Sequence, residues 1–150
     1  MRLVIQRVTQ AQVQVEGQVV GQIGHGLLLL VGIEDDDSLE DAQWLASKVS
    51  KLRIFPDAEG KMNASIMDVD GHLLVVSQFT LHASYKKGTR PSFIKAAHPD
   101  HAKPLYEQFV QACEQELNKP VATGTFGTMM DVALTNDGPV TIWMDTKNKE

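Results

Sequence analysis

The chain has 150 residues, of which 43% are hydrophobic and 22% are charged, a composition typical of a globular domain. Its formal net charge of −5 argues against non-specific coating of nucleic acid, so we expect no DNA partner, although recognition of one RNA end needs only a local basic patch. It has no apolar run of membrane-spanning length, no signal-peptide pattern and one cysteine, Cys113, and we therefore expect a single domain over residues 1–150, cytoplasmic and without a membrane partner.

Strand patterns dominate the beginning of the chain. Residues 2–8 place apolar side chains on both alternating faces and predict a strand buried on both sides. Residues 11–24 predict a β-hairpin that turns at Glu16-Gly17. The continuous apolar run "GLLLLVGI" at 26–33 predicts a central strand.

A helix is predicted next. Ser38 and Asp41 have the spacing of a capping box, and the acidic residues around them suit the positive end of a helix dipole. Apolar side chains then recur at helical spacing, namely Leu39, Ala42, Leu45, Ala46, Val49 and Leu52.

Further strands are predicted in the second half of the chain. Two turn signals, at 57–60 and 68–71, precede a strand over 72–81, "HLLVVSQFTL". Near the C-terminus, the segments "VATGTFG", "MMDVALT" and "PVTIWMD" predict three more strands.

A second helix is predicted between these strands. It begins near Pro99 or Pro104 and ends near Asn118, and its apolar face includes Cys113 as a packed thiol. The order of elements predicts an α+β domain with a mostly antiparallel curved sheet or open β-barrel, in which two helices cover one side.

Polar side chains interrupt the strand predicted at 72–81. Strand alternation would place Thr80 and His82 on one face, where they could act as the nucleophile and base of a conventional esterase. The simpler interpretation is a strand end that emerges into solvent. None of the five histidines has the spacing of a metal site, and no phosphate-binding loop is present, so we expect neither a metal nor a cofactor.

A second unusual segment is "NDGPVT" at 136–141. A hairpin turn explains Asn-Asp-Gly, but it does not explain Pro139, because a strand needs the backbone N–H that proline lacks. The segment is either a simple turn or a rigid elbow that presents backbone to a ligand.

A basic segment lies between the strand predicted at 72–81 and the second predicted helix. "YKKGTRPSFIK" places Lys86, Lys87, Arg90 and Lys95 close together. The patch is either a solvated surface loop or a contact for phosphate groups.

Taken together, these segments resemble the D-aminoacyl-tRNA deacylases. The resemblance rests on "SQFT" at 77–80 and "NDGPVT" at 136–141, and it extends to "IQRV", to the "KG-x-RPSF" loop at 87–93 and to "TGTFG" at 123–127. It therefore covers essentially the whole chain. It implies a hydrolase that cleaves the ester between a D-amino acid and the terminal adenosine of tRNA, and it leaves open glycyl-tRNA as a further substrate.

The resemblance also implies roles for individual residues. Gly138-Pro139 would be a cis peptide that receives the substrate's α-amino group and rejects L-residues by overlap. The ester pocket would be lined by Ser77, Gln78, Phe79 and Thr80, with the N–H groups near Phe79 and Thr80 facing the developing negative charge while the ribose 2′-hydroxyl assists hydrolysis.

Other positions follow from the same resemblance. Phe126 and Met130 would contact the terminal adenine, and Arg7 would brace the Gly-Pro elbow. The acceptor-end phosphates would meet Lys86, Lys87 and Arg90.

The resemblance further implies a homodimer in which each elbow enters the partner's pocket. A competing hypothesis is a non-catalytic module that binds RNA ends.

Overall fold

The computed structural model describes residues 1–150, and it contains eight strands, two α-helices and one short 3₁₀ helix. The strands are β1 (Arg2–Val15), β2 (Gln18–Ile23), β3 (Gly26–Gly32), β4 (Phe55–Pro56), β5 (Met62–Ala64), β6 (His72–Ser77), β7 (Ala122–Thr123) and β8 (Asp131–Asp145). The helices are α1 (Leu39–Lys51), the 3₁₀ helix (Phe79–His82) and α2 (Pro99–Leu117).

Six strands form one mixed sheet in the order β2-β1-β3-β6-β7, with β8 paired to β1. The pairs that involve β1 are antiparallel, whereas β3–β6 and β6–β7 are parallel. The sheet curls until β2 meets β7, so that a side chain at Gly21 would overlap the carbonyl of Thr123. The result is a nearly closed barrel with helices outside it, which confirms the predicted fold class.

Both helices begin where the sequence predicts. The carboxylate of Asp41 accepts a hydrogen bond from the backbone N–H of Ser38 at 2.9 Å, as in a capping box. α2 begins at Pro99 and contains Pro104, and Asn118 ends it in the left-handed conformation with φ of +52°. Neither helix combines the length and apolar character needed to cross a membrane.

The main core lies between the helices and one face of the sheet. It contains alternate β1 residues such as Leu3 and Ile5, together with Phe109 and Cys113 of α2. Burial raises the pKa of the Cys113 thiol to about 12, which confirms a packed thiol instead of a reactive one. The Tyr106 hydroxyl donates to the Val75 carbonyl at 2.8 Å and ties α2 to β6.

The first strand differs from its prediction. Residues 2–8 are part of a single strand that continues to Val15, where Glu16 and Gly17 make the predicted turn with positive φ. Burial on both faces was wrong for the first part of this strand, because Val4 and Gln6 are only half-buried. They lie on the sheet face that no helix covers.

Four of the strands predicted in the second half of the chain also differ. The strand over 72–81 ends at Ser77, since the backbone then turns into the 3₁₀ helix. "MMDVALT" and "PVTIWMD" are not separate strands but parts of β8, because both segments pair with β1. β7 is reduced to Ala122–Thr123.

Candidate active site

The segment 77–80 lies at the carboxyl end of β6. The Gln78 N–H donates to the Val31 carbonyl at 2.7 Å and extends the pairing with β3 by one step. The chain then forms the 3₁₀ helix, in which Phe79 is 57% exposed. Phe79 packs edge-on against Phe93, with ring centroids 5.2 Å apart.

Backbone donors are available at this point. The first N–H groups of a 3₁₀ helix, here those of Phe79 and Thr80, have no acceptor within the helix. Neither takes part in a hydrogen bond outside the regular elements. Two adjacent N–H groups at an exposed strand end can together stabilise an oxyanion.

The structure contradicts the Thr80–His82 pair. A 3₁₀ helix turns by about 120° per residue, so residues two apart point in different directions, unlike residues two apart in a strand. Thr80 is exposed and its hydroxyl accepts a hydrogen bond from the Gln78 amide at 2.5 Å. His82 is buried, and its ring nitrogens have no partner.

The "NDGPVT" segment contains a four-residue bulge in β8. Val8 pairs with Asn136 and Gln6 pairs with Thr141, so residues 137–140 all stand opposite Arg7. The Gly138-Pro139 peptide bond is cis, and both residues are exposed. The segment is therefore an elbow within one strand and not a hairpin turn.

Gly138 occupies a position that only glycine fits. Its φ is +124°, in the region that L-residues with side chains rarely adopt. A Cβ atom there would lie 2.8 Å from Nη2 of Arg7 and 3.0 Å from Cγ2 of Val140. Backbone conformation and close packing thus both exclude a side chain.

Arg7 and Asn136 hold the elbow from two sides. Nε of Arg7 donates to the Asp137 carbonyl at 3.2 Å and lies 3.2 Å from its carboxylate, while Nη1 donates to the Ile54 carbonyl. The Asn136 amide donates to the carbonyls of Arg7 and Val140 at 2.9 and 3.0 Å and closes the neck of the bulge. The sequence analysis missed Asn136 as a site residue, and its position just before Asp-Gly at a strand break is the signal that could have identified it.

The elbow and the 77–80 segment lie beside different residues of β1. The 77–80 segment bonds to Val31, which pairs with Leu3, whereas the elbow stands opposite Arg7. At roughly 3.4 Å per residue, Leu3 and Arg7 are about 14 Å apart along β1. One chain therefore does not bring the two motifs together.

Phe126 and Met130 are placed beside β6. β7 runs parallel to β6, and the Gly124 N–H donates to the Val75 carbonyl at 3.1 Å, so the residues after β7 lie at the same sheet edge as the 77–80 segment. Phe126 is half-buried, with its ring centroid 5.7 Å from that of Tyr106. Met130 is half-buried and packs over Gly124.

The basic residues are on an exposed loop. Ser84 and Ser92 exchange two backbone hydrogen bonds of 2.8 Å each and close the loop, which carries Lys86, Lys87 and Arg90 at the surface. No group of three or more His, Cys, Asp or Glu side chains is arranged to hold a metal ion.

Comparisons with known sequences all indicate one family. A profile of the family described as D-Tyr-tRNA(Tyr) deacylase matches residues 4–145. A protein from Flavobacterium johnsoniae is 61% identical over 150 residues, and one from Bacteroides thetaiotaomicron is 58% identical over 150 residues. Both matches cover 100% of each chain, and both relatives are called D-aminoacyl-tRNA deacylase.

Solved structures give the same fold. A c-Myc DNA Unwinding Element Binding Protein superposes with a TM-score of 0.91 at 36% identity, covering 97% of this chain and 99% of that one. The structure of a probable eukaryotic D-amino acid tRNA deacylase gives a TM-score of 0.81 at 20% identity, covering 95% and 97%. At that identity the second similarity supports the fold alone.

The packing around Gly138 predicts a specific loss of stability. Gly138→Ala should lower the free energy of unfolding by about 1–3 kcal/mol more than Gly88→Ala, because overpacking adds to the backbone cost. Gly88 is the matched control, since its φ is +135° but no atom lies within 4 Å of its would-be Cβ. Urea unfolding of the two variants measures the difference, and equal losses would contradict the packing described here.

Proposed function

Because the chain belongs to the D-Tyr-tRNA(Tyr) deacylase family, we propose that residues 1–150 act as a single domain that hydrolyses the ester bond of D-aminoacyl-tRNA. The products are a free D-amino acid and tRNA, so the reaction is a chiral proofreading step in translation. The observation that carries the proposal is the family match over residues 4–145, which includes both the 77–80 segment and the elbow. We also propose a cytoplasmic location, where aminoacyl-tRNA is made and used.

The ester would be hydrolysed at the 77–80 segment. Water attacks the ester carbonyl, negative charge develops on the carbonyl oxygen, and collapse of the intermediate expels the ribose oxygen, which takes up a proton. The N–H groups of Phe79 and Thr80 would stabilise the developing charge, with Ser77 and Gln78 forming the pocket wall. The neighbouring ribose 2′-hydroxyl would orient the water, since Thr80 has no base beside it.

The elbow would distinguish D from L substrates. Gly138 has no side chain and Pro139 has no N–H, so the exposed elbow offers carbonyl oxygens to the α-amino group. A rigid backbone surface at this place leaves no volume where the side chain of an L-amino acid would lie. Arg7 and Asn136 would supply the rigidity, since they bond to the backbone on both sides of Gly138. Glycine, which has no side chain, would not be excluded, so glycyl-tRNA is a further candidate substrate.

We propose a homodimer in which each elbow completes the partner's site. The separation of about 14 Å along β1 supports this, because an elbow at that distance cannot wall its own ester pocket. The sheet face without a helix also supports it, since Trp143 pairs with Val4 there and is 51% exposed. A two-fold interface would complete both sites at once.

The tRNA end would extend from the pocket across two further regions. Phe126 and Met130, at the sheet edge beside β6, would pack against the terminal adenine. Lys86, Lys87 and Arg90 would contact phosphates, because their loop follows directly from the 3₁₀ helix and is exposed.

A second candidate is a module that binds nucleic acid without catalysis. The similarity to a c-Myc DNA Unwinding Element Binding Protein at 36% identity is the observation that favours it. The exposed basic loop fits either function.

One assay separates these functions. The protein should release D-tyrosine from D-tyrosyl-tRNA and glycine from glycyl-tRNA, while L-tyrosyl-tRNA should decay only at its uncatalysed rate, because the elbow excludes an L side chain. Released amino acid is measured over time against a reaction without protein. No release would favour the binding module, and equal release of D- and L-tyrosine would contradict the role of the elbow.

A substitution of Thr80 tests the proposed chemistry. Thr80→Ala should keep kcat/KM for D-tyrosyl-tRNA within about tenfold of the wild type, because the hydroxyl is not the attacking group. Replacing the terminal adenosine of the tRNA by 2′-deoxyadenosine should instead cause the large loss of kcat/KM. A loss of several thousandfold in Thr80→Ala would identify the threonine as the nucleophile.

A further inference from the structure

A second pocket opens beside the 3₁₀ helix, outside the proposed ester pocket. Its volume is about 330 Å³, and it lies between the start of β1 and the segments on either side of the basic loop. The side chains that line it include Arg2, His82, Ser84, Tyr85, Lys86 and Lys95.

The charge of this pocket is opposite to that of the whole protein. The chain has a formal net charge of −5, yet three cationic side chains and no carboxylate line the pocket. Lys86 and Lys95 form no ion pair with any carboxylate of this chain. Unpaired cations around a concave surface focus a positive potential, which favours an anionic ligand.

Arg2 is held in place at the wall of the pocket. Its Nε donates to the Asp145 carboxylate at 3.1 Å, its Nη1 donates to the Leu81 carbonyl at 2.9 Å, and its guanidinium lies 5.6 Å from the centre of the Trp143 ring. Since Nη2 takes no part in these hydrogen bonds, it can donate to a ligand.

His82 adds a polar group to the same place. Its side chain is almost fully buried, and neither ring nitrogen has a hydrogen-bond partner within the chain. Buried polar groups in folded proteins are nearly always hydrogen-bonded, because an unpaired one costs free energy. His82 also lines the pocket, so an anion bound there would place negative charge beside this unpartnered ring.

The location and the rim indicate which anion this is. His82 follows Thr80 by two residues, so their Cα atoms are at most about 7.6 Å apart. The pocket therefore lies within a few nucleotides of an ester bound at the 77–80 segment. Tyr85, which is 79% exposed, offers an aromatic ring at the rim on which a base can stack.

We propose that this pocket binds a backbone phosphate of the single-stranded 3′ end of tRNA, upstream of the terminal adenosine. Lys86, Lys95 and Arg2 supply the charge, and Tyr85 stacks on a neighbouring base. The proposal rests on the proposed function for the identity of the RNA, and it adds Arg2, Lys95 and a defined pocket to the exposed loop. Its role is to hold the strand while the ester is positioned.

The test measures, by fluorescence anisotropy, the binding of a short RNA that ends in CCA and carries no amino acid. Each of the last three phosphodiester linkages is replaced in turn by a neutral methylphosphonate. For the wild type, one replacement should weaken binding by about five- to tenfold, because a charge-assisted contact is lost. Lys95→Gln should weaken binding of the unmodified RNA to a similar extent and abolish the sensitivity to that linkage. For this variant, the slope of the logarithm of the binding constant against the logarithm of the salt concentration should be smaller in magnitude by about 0.7.

Lys48→Gln is the matched control, since Lys48 is an exposed lysine on α1. It should bind and respond to each linkage as the wild type does. The proposal is overturned if no linkage matters in the wild type, if the RNA binds too weakly to show an effect, or if Lys95→Gln keeps the full sensitivity.

Failure of the subsite is distinguishable from failure of the proposed function. Release of D-tyrosine by the wild type tests the hydrolysis alone, and the binding cycle uses RNA without an amino acid. Hydrolysis without a linkage effect would remove only the phosphate subsite, whereas a linkage effect without hydrolysis would leave a nucleic-acid-binding protein with this pocket.

Discussion

The pairing of β8 with β1 on both sides of Arg7 is the constraint on which the rest of the site depends. Because both halves of β8 are bonded to one strand, the four residues between them must leave the ladder at a fixed place. Arg7 fills the space behind them, and Asn136 bonds across the neck. The elbow is therefore tied to the sheet on both sides, and a loop without such bonds would not give a backbone surface of defined position.

The same strand explains why one chain has only half of each proposed site. β1 connects the elbow at Arg7 to the neighbourhood of the 77–80 segment near Leu3, and the geometry of an extended strand keeps them apart. The uncovered sheet face between them carries Trp143, Val4 and Arg2. A second copy on this face would bring an elbow to each ester pocket and leave the cationic pocket at the edge for the RNA strand.

Much of the fold could be predicted from local patterns, whereas the details of the site could not. The capping box at Ser38 and the apolar run at 26–33 are properties of adjacent residues, and both predictions were confirmed. The end of the strand at Ser77 depends on the 3₁₀ helix, which has no strong sequence signal, so the Thr80–His82 pair was wrong. The two predicted strands are one strand, β8, because both pair with residues more than a hundred positions away, which no local pattern reveals.

Mixed dimers test the central claim most directly, which is that each site combines a pocket from one chain with an elbow from the other. Gly138→Ala alters the elbow and Phe126→Ala alters the pocket; because both substitutions also lower stability, rates are compared per folded chain. In an equimolar, re-equilibrated mixture, half of the dimers carry one chain of each kind, and each of these has one fully intact site. We predict that mixing raises the D-tyrosyl-tRNA deacylation rate above that of either variant, to about a quarter of the wild-type rate. A mixture no more active than the average of the two variants would show that each elbow serves its own chain.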